Sequence, residues 1–272
     1  MVFDIETTPN LEAGRNLLDL DSSSDDAKVL DMLTDYHINI SATGNDFLRQ
    51  PFHKIACISY VSADIVNNDG TRWFKIENIR TAGNLDSSEE EILGNFSKYC
   101  AKESPKMVTF NGKMFDLPVI KYRSMYHGIP IPWYYNLDEI AKDKWYQSYD
   151  SRYSQDNIDL FDVFSGYRGG VKMSEVCAAF GVPCKIDASG AGVYEMILSG
   201  NLLKVRNYCE TDALVTFVLY VLHCHHTGAI NNDGYLKTMQ NLFEFITNGK
   251  QVHLLQWVDL CKNSKVLAEF CS

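Results

Sequence analysis

The sequence contains 272 residues, of which 46% are hydrophobic, and this excludes a disordered chain and a disulfide-dependent mini-protein. The most apolar stretch, residues 213–222, is far shorter than the roughly 20 residues that span a bilayer. The net charge of −10 disfavours a protein that coats nucleic acid, but it is compatible with an enzyme whose carboxylates bind metal ions. Eight scattered cysteines and no export signal predict a cytoplasmic protein without a membrane segment.

The first part of the chain reads as strands followed by helices. Strands are predicted over residues 2–6, 55–61 and 71–76, and the Asn-Asn-Asp-Gly sequence at 67–70 predicts that the last two form an antiparallel hairpin. Further elements follow in chain order: a helix over 89–100 begun by Ser87 or Ser88, a strand over 107–110, a helix over 117–126 and a strand over 158–160.

Beyond residue 160 the pattern is helical, with helices predicted over 172–180, 193–198, 202–225, 235–247 and 251–270. We therefore expect an α/β fold with one mixed sheet, flanking helices and a helical C-terminal extension. Residues 1–230 form the predicted main domain, and 231–272 are predicted to pack on it. Residues 10–50, with a helix over 26–36, form an insertion between the first two strands, and residues 143–157 read as a surface loop.

Three acidic motifs suggest a metal site. Asp4 and Glu6 are two residues apart on a strand and therefore share one face. Two adjacent carboxylates repel each other unless a cation lies between them, so the pair suggests a metal site. Because D-x-E is short and common, the pair alone leaves open the alternative of a solvated edge strand that carries two acids by chance. Asp116 follows an Asn-Gly turn and precedes Pro118, so it is predicted either to cap a helix, to bind metal, or both.

The third motif lies on the helix predicted over 202–225. Tyr208 and Asp212 are four residues apart, so they share a helix face beside the apolar stripe that includes Cys209. An acid next to such a stripe is either paired with a basic neighbour such as Arg206 or used as a ligand. The sequence alone leaves both alternatives open.

D-I-E-T, N-G-x-x-F-D-L-P and Y-C-E-T-D resemble, in order and context, the three motifs of the DEDD (DnaQ-like) 3′-5′ exonucleases. The resemblance covers most of residues 1–230. It is nearest to stand-alone predicted exonucleases related to the proofreading domain of B-family DNA polymerases, and it implies a ribonuclease H-like fold. A Tyr four residues before the last Asp marks the Tyr type of the superfamily, and Tyr208 matches it.

The resemblance implies the following roles. Asp4, Glu6, Asp116 and Asp212 are expected to bind two divalent ions, Mg²⁺ or Mn²⁺, and Tyr208 is expected to orient the attacking water. The implied reaction is hydrolysis of terminal phosphodiester bonds of single-stranded nucleic acid, DNA being favoured, with release of nucleoside 5′-monophosphates.

Substrate contacts are expected near the second motif. Asn111 either shapes the turn or contacts the terminal nucleotide, and Phe115 either stacks on a base or packs inward. Phosphate contacts are candidates at four basic residues, Lys113, Arg168, Lys172 and Lys185. Asp159 and Asp162, which flank the fifth predicted strand, are interpreted as structural.

Two alternatives to a DNA exonuclease remain at this level. A 3′-5′ exoribonuclease has the same chemistry, because the choice between DNA and RNA depends on contacts near the sugar 2′ position. A non-catalytic module that binds nucleic acid or a replication or repair complex has the same fold. Retention of all four acids and the Tyr favours an enzyme.

Overall fold

The structure is a computed structural model that describes residues 1–135, 148–151, 154–166, 169–184 and 192–271. The strands of the described part are β1 (Val2–Pro9), β2 (His53–Asn68), β3 (Thr71–Thr81), β4 (Met107–Thr109) and β5 (Asn157–Asp159). They form one sheet in the order β3-β2-β1-β4-β5. The pairs β1–β2 and β2–β3 are antiparallel, whereas β1–β4 and β4–β5 are parallel. The predicted mixed sheet is therefore confirmed.

Helices flank this sheet and dominate the second half of the chain. The described helices are α1 (Leu11–Leu18), α2 (Asp26–Ile40), α3 (Glu89–Glu103), α4 (Asp116–Tyr126), α5 (Pro132–Tyr135), α6 (Leu160–Ser165), α7 (Met173–Phe180), α8 (Val193–Leu198), α9 (Leu202–His226), α10 (Asn232–Gly249) and α11 (Val252–Cys261). Two 3-10 turns, Gln50–Phe52 and Ala268–Phe270, complete the set. No helix in the described residues has both the length and the apolar character needed to cross a membrane.

The predicted hairpin and the predicted start of α3 are both observed. Asn68 pairs with Thr71, and Asp69 and Gly70 between them have positive φ angles, which is the geometry of a tight two-residue hairpin turn. Ser88 begins α3 with a complete capping box, in which its hydroxyl accepts from the Glu91 N–H while the Glu91 carboxylate accepts from the Ser88 N–H. Local turn and cap chemistry therefore predicted both features.

The 10–50 insertion contains two helices, of which α1 was not predicted. The Asn10 side chain accepts from the Ala13 N–H and caps α1, and the Asp25 side chain accepts from the Lys28 N–H and caps α2. The predicted helix over 26–36 continues to Ile40. Helix α1 has only eight residues, about two turns, and so short a segment does not fill the window over which an apolar period predicts a helix.

Helix α10 covers the edge strand β3. The N–H groups of Phe74 and Ile76 donate to the side chains of Thr238 and Asn241 at 3.0 and 2.8 Å. An uncovered edge strand exposes such donors to other chains, so this helix protects the sheet. A Cβ atom on Gly234 would lie 2.0 Å from the Arg72 carbonyl oxygen, and this close approach requires glycine at that position.

One predicted helix is too long, one helix was not predicted, and part of one predicted loop lies outside the described residues. The helix predicted over 251–270 ends at Cys261. Just beyond it, the Ser264 hydroxyl accepts a hydrogen bond from the Val266 N–H, and such a local bond competes with continuation of the helix. Helix α6 was not predicted, and it begins because the Asp159 carboxylate accepts from the Phe161 N–H. Of the loop predicted over 143–157, residues 143–147, 152 and 153 lie outside the described residues, and Asn157 begins β5.

Candidate active site

Asp4 and Glu6 lie on β1, which is the middle strand of the sheet between β2 and β4. The alternative of a solvated edge strand is therefore wrong. Phe3 and Ile5 point to the opposite face and pack into the hydrophobic core beside α3 and α4. Asp4 and Glu6 face α9, as the contact between Asp4 and Cys209 shows. The period of two along the strand thus delivers both carboxylates to one side of the sheet.

The turn between β4 and α4 positions Asp116. The Asp159 carboxylate on β5 accepts from the backbone N–H groups of Asn111 and Lys113, at 2.6 and 2.9 Å. Asn111 has a φ of +67°, and a Cβ atom on Gly112 would lie 2.5 Å from the Thr109 side chain. The Asn-Gly pair therefore fits this turn because only glycine leaves enough space at the second position. Asp159 has the structural role that we predicted.

Asp116 is the first residue of α4, and the prediction that it caps the helix is wrong. The helix begins one residue earlier than expected, so Phe115 occupies the cap position. The Phe115 N–H bonds the Asn111 carbonyl oxygen in the preceding turn. Burial raises the pKa of Asp116 to about 7, although its carboxylate accepts from its own N–H and from the Ile5 N–H on β1. The bond to Ile5 brings Asp116 next to Asp4 and Glu6.

Tyr208 and Asp212 lie one turn apart on α9, and both face β1. Burial, Asp212, Glu6 and Asp4 together raise the pKa of Tyr208, and the Tyr208 hydroxyl is hydrogen-bonded to Asp212. This hydroxyl therefore stays protonated at neutral pH. Arg206, the alternative partner of Asp212, donates to the carbonyl oxygens of Gly83 and Thr81 instead.

The four acids converge on one point of the structure. Desolvation and the carboxylates of Asp116, Glu6 and Asp212 raise the pKa of Asp4 well above its ordinary value. Carboxylates that crowd in this way are costly when ionised, and the cost is relieved by a proton or by a bound cation. The donor set consists of carboxylate oxygens, which are the ligands that Mg²⁺ and Mn²⁺ prefer. The residues present therefore fit divalent ions.

Cys209 is a member of this site that sequence reasoning assigned to the core. Its Sγ lies 3.5 Å from Asp4 Oδ2, and ligand atoms of Asp4, Glu6 and Cys209 all lie within 4.8 Å of one another. Burial, a neighbouring Cys57 and the carboxylates of Asp4 and Glu6 raise the pKa of this thiol, so it acts as a hydrogen-bond donor to Asp4. Its position three residues before Asp212 on one helix was a signal that could have identified it.

Glu210, also on α9, links this helix to β3 and to α11. Its carboxylate accepts from the Thr81 hydroxyl on β3 at 2.7 Å and contacts His253 Nε2 on α11 at 2.9 Å. The Thr81 hydroxyl also bonds Ser59, which pairs with Asp4 across β1 and β2. These contacts fix the rotation of α9, and this keeps Tyr208 and Asp212 turned toward β1.

The residues predicted to contact substrate lie in different surroundings. The positive φ of Asn111 supports its role in the turn, and Lys113 Nζ lies 3.3 Å from Asp162 on α6. Phe115 is partly buried between the rings of His53 and Phe47. Lys172 is exposed at the start of α7. Arg168 and Lys185 lie outside the described residues. A role in substrate binding stays a prediction for all of these residues.

Comparison with known proteins agrees with this geometry. The sequence matches, over residues 45–261, a family described as predicted 3′-5′ exonucleases related to the exonuclease domain of PolB. Asp116, Tyr208 and Asp212 fall inside the matched range, and Asp4 and Glu6 precede it. No curated protein matches the chain. The mixed sheet with flanking helices is that of a ribonuclease H-like fold. Because the match also spans well over half of the 272 residues, the chain belongs to this family of predicted exonucleases.

Proposed function

We propose that the protein is a metal-dependent 3′-5′ exonuclease that shortens single-stranded DNA and releases nucleoside 5′-monophosphates. The observation that carries this proposal is the convergence of Asp4, Glu6, Asp116 and Asp212, expressed in the raised pKa of Asp4. The description of the family as related to the exonuclease domain of PolB supports DNA rather than RNA as the substrate.

The four carboxylates bind two divalent ions, Mg²⁺ or Mn²⁺. Bound ions neutralise the charge that develops on the phosphate and increase the acidity of water. The protein contributes a preorganised arrangement of ligands. Asp4 and Glu6 are held by the sheet, Asp116 by the Ile5 N–H, and Asp212 by α9. Because these elements are fixed before substrate arrives, little reorganisation is needed during the reaction.

Tyr208 orients the attacking water. An ordinary tyrosine pKa near 10 already makes this hydroxyl a poor proton acceptor at neutral pH, and burial raises the pKa further, so orientation of the water is the role that we propose. A protonated hydroxyl can still accept a hydrogen bond from water or donate one to it. We expect Tyr208→Phe to lower kcat by about 10- to 1000-fold with little change in metal affinity, because one orienting hydrogen bond is lost while the carboxylates remain.

Labelled oligonucleotides test the direction and the chemistry. A single strand labelled at its 5′ end should give a ladder of products in Mg²⁺ or Mn²⁺, whereas a 3′ label should be released at once as a mononucleotide. EDTA and Asp212→Asn should both abolish the ladder, and Ile65→Ala, an exposed residue near the far end of β2, should not. An RNA strand of the same sequence measures the preference for DNA. Cleavage of a closed circular strand at a similar rate would contradict exonuclease action.

A further inference from the structure

The Cys209 thiol on α9 is directed at Asp4 on β1. Its Sγ lies 3.5 Å from Oδ2 of the Asp4 carboxylate and 3.4 Å from the Asp4 backbone carbonyl oxygen. A thiol is a weak donor with one proton, so it can bond either oxygen or share the proton between them. Because Cys209 is fully buried, bulk water does not compete for this proton.

Packing fixes the position of this thiol. Cys209 belongs to a small hydrophobic cluster with Cys57, Val193 and Val205, which are also almost completely buried. Cys57 pairs with Glu6 across β2 and β1, so the cluster lies next to the carboxylates. Side chains in a closely packed interior occupy defined rotamers. The Cys209 thiol is therefore held beside Asp4 before any ion arrives.

The electrostatic surroundings of Asp4 give this contact its importance. The carboxylates of Asp116, Glu6 and Asp212 are close enough to Asp4 to repel it when they are ionised. This repulsion opposes the convergence of the carboxylates on one ion. The S–H group of Cys209 presents the positive end of its dipole to Oδ2 and attracts the Asp4 carboxylate instead. A carboxylate has about four lone-pair sites, so Asp4 can accept from the thiol and bind a cation at the same time.

We infer that Cys209 is a positioning residue for the metal site: its thiol donates to Oδ2 of Asp4 and holds this carboxylate in the orientation that binds a divalent ion. The inference rests on the proposed function, since it takes Asp4 to be a metal ligand. Removal of a partner that hydrogen-bonds a metal ligand typically costs about 10- to 100-fold in metal affinity or activity. Binding of the ion by sulfur itself is a different arrangement, because a thiol that coordinates a metal loses its proton.

Titration calorimetry with Mn²⁺ tests the effect on metal affinity. Cys209→Ala should raise the Kd for Mn²⁺ by about 10-fold, the lower end of that range, because a thiol is a weak donor. Hydrolysis of a 5′-labelled strand by this variant should be slow at low Mn²⁺ and should recover as the Mn²⁺ concentration rises. Cys224→Ala is the matched control, because it removes another buried thiol near the far end of α9 and should bind Mn²⁺ like wild type.

Infrared difference spectroscopy supplies a readout that a purely structural role of Cys209 would not change. The S–H stretching band lies in a window free of other protein absorption, and its frequency follows the strength of the hydrogen bond. An ion bound at Asp4 withdraws charge from Oδ2 and weakens the bond from the thiol. The spectrum of wild type in Mn²⁺ minus that in EDTA should therefore contain a shifted S–H band. Cys209→Ala and Cys209→Ser should lose this difference band, and Cys224→Ala should keep it.

The outcomes separate this inference from the proposed function. If wild type binds no Mn²⁺, the proposed metal site fails, and the inference fails with it. If wild type binds Mn²⁺ but shows no S–H difference band, or if Cys209→Ala binds Mn²⁺ as tightly as wild type, the thiol only supports packing and the inference alone is overturned. Disappearance of the S–H band in Mn²⁺, without a shifted band, would show sulfur as a ligand and would also overturn it.

Thermal melting in EDTA checks that each variant is folded. If Cys209→Ala does not fold, Cys209→Ser and the wild-type difference spectrum decide the question, because the serine variant also removes the S–H group.

Discussion

A carboxylate site lies near each end of helix α4, and the two sites are built in opposite ways. At its first residue, Asp116 joins Asp4, Glu6 and Asp212, and like charges face one another. Two turns later Arg123 donates to both carboxylate oxygens of Glu89, at 2.8 and 2.6 Å. His127 and the Ile55 N–H complete the partners of Glu89. Helix α4 therefore contributes to one group of carboxylates without a cationic partner and to a second site in which a carboxylate is paired with an arginine.

The pKa values express this difference. Burial raises the pKa of Asp116 to about 7. Burial acts in the same sense on Glu89, yet the hydrogen bonds from Arg123, His127 and the Ile55 N–H outweigh it and lower the pKa of Glu89. Glu89 is therefore satisfied by the protein and has a structural role, whereas the Asp4 cluster needs cations to be stable when ionised. The following predictions test whether this division is correct.

The largest expected effect is on catalysis. Asp4→Ala should lower the rate of DNA hydrolysis by about 1000-fold or more, because it removes a ligand from the middle of the cluster. The rate is measured on a 5′-labelled single strand at saturating Mn²⁺. Hydrolysis by Asp4→Ala at the wild-type rate would show that the acids have been misassigned.

The second effect is on folding. Arg123→Met should lower the free energy of unfolding by about 3 to 5 kcal/mol, since it leaves Glu89 buried without its main cation. Urea denaturation should give the same loss in EDTA and in Mn²⁺. Lys75→Met is the matched control, because it breaks an exposed pair with Glu77 and should cost less than about 1 kcal/mol. Equal losses for both variants would mean that the Glu89 cluster is not a buried ion pair.

The third effect couples metal binding to stability. Mn²⁺ at about 100 times its dissociation constant should stabilise the wild type by roughly 2.7 kcal/mol. Asp4→Asn should be as stable as wild type in EDTA, or slightly more stable, because a like-charge contact is lost, but it should lose most of the response to Mn²⁺. Glu77→Gln, a surface acid on β3, should respond like wild type. A full response in Asp4→Asn would place the ions elsewhere.

The smallest effect is a pH dependence of opposite sign in the two clusters. Because the pKa of Asp116 is raised in the folded state, the native protein binds more protons between about pH 4 and pH 7, and its stability in EDTA should fall as pH rises through this window. The lowered pKa of Glu89 contributes stability above its unfolded pKa, and this is lost only as pH falls into the acid range.

Asp116→Asn checks this sign. In EDTA, unfolding of wild type at pH 5.5 and pH 7.5 should differ by on the order of 1 kcal/mol, and the variant should show a smaller difference. Asp4 titrates in the same direction, so part of the slope should remain. An unchanged slope in the variant would show that Asp116 is ionised in the folded protein at both pH values.

Local sequence signals predicted much of the fold. The Asn-Asn-Asp-Gly turn predicted the β2–β3 hairpin, Ser88 and its following acids predicted the start of α3, and the bounds of α8 were predicted without error. The misses are short or depend on distant partners. Helix α6 is six residues long and is capped by Asp159, whose carboxylate also holds the turn of Asn111. A side chain that bonds both its own helix and a turn about 50 residues away cannot be identified from the neighbouring residues in the sequence.

The sequence by itself determined which residues share a face. The period of two placed Asp4 with Glu6, the helical period placed Tyr208 with Asp212, and the order of the motifs indicated the family. Tertiary structure alone decided how these faces meet. It brought the Ile5 N–H to Asp116 and the Cys209 thiol to Asp4. These contacts join residues up to about 200 positions apart, and packing of α4 and α9 on β1 creates them. Local periodicity specifies the directions of side chains but not the distances between elements.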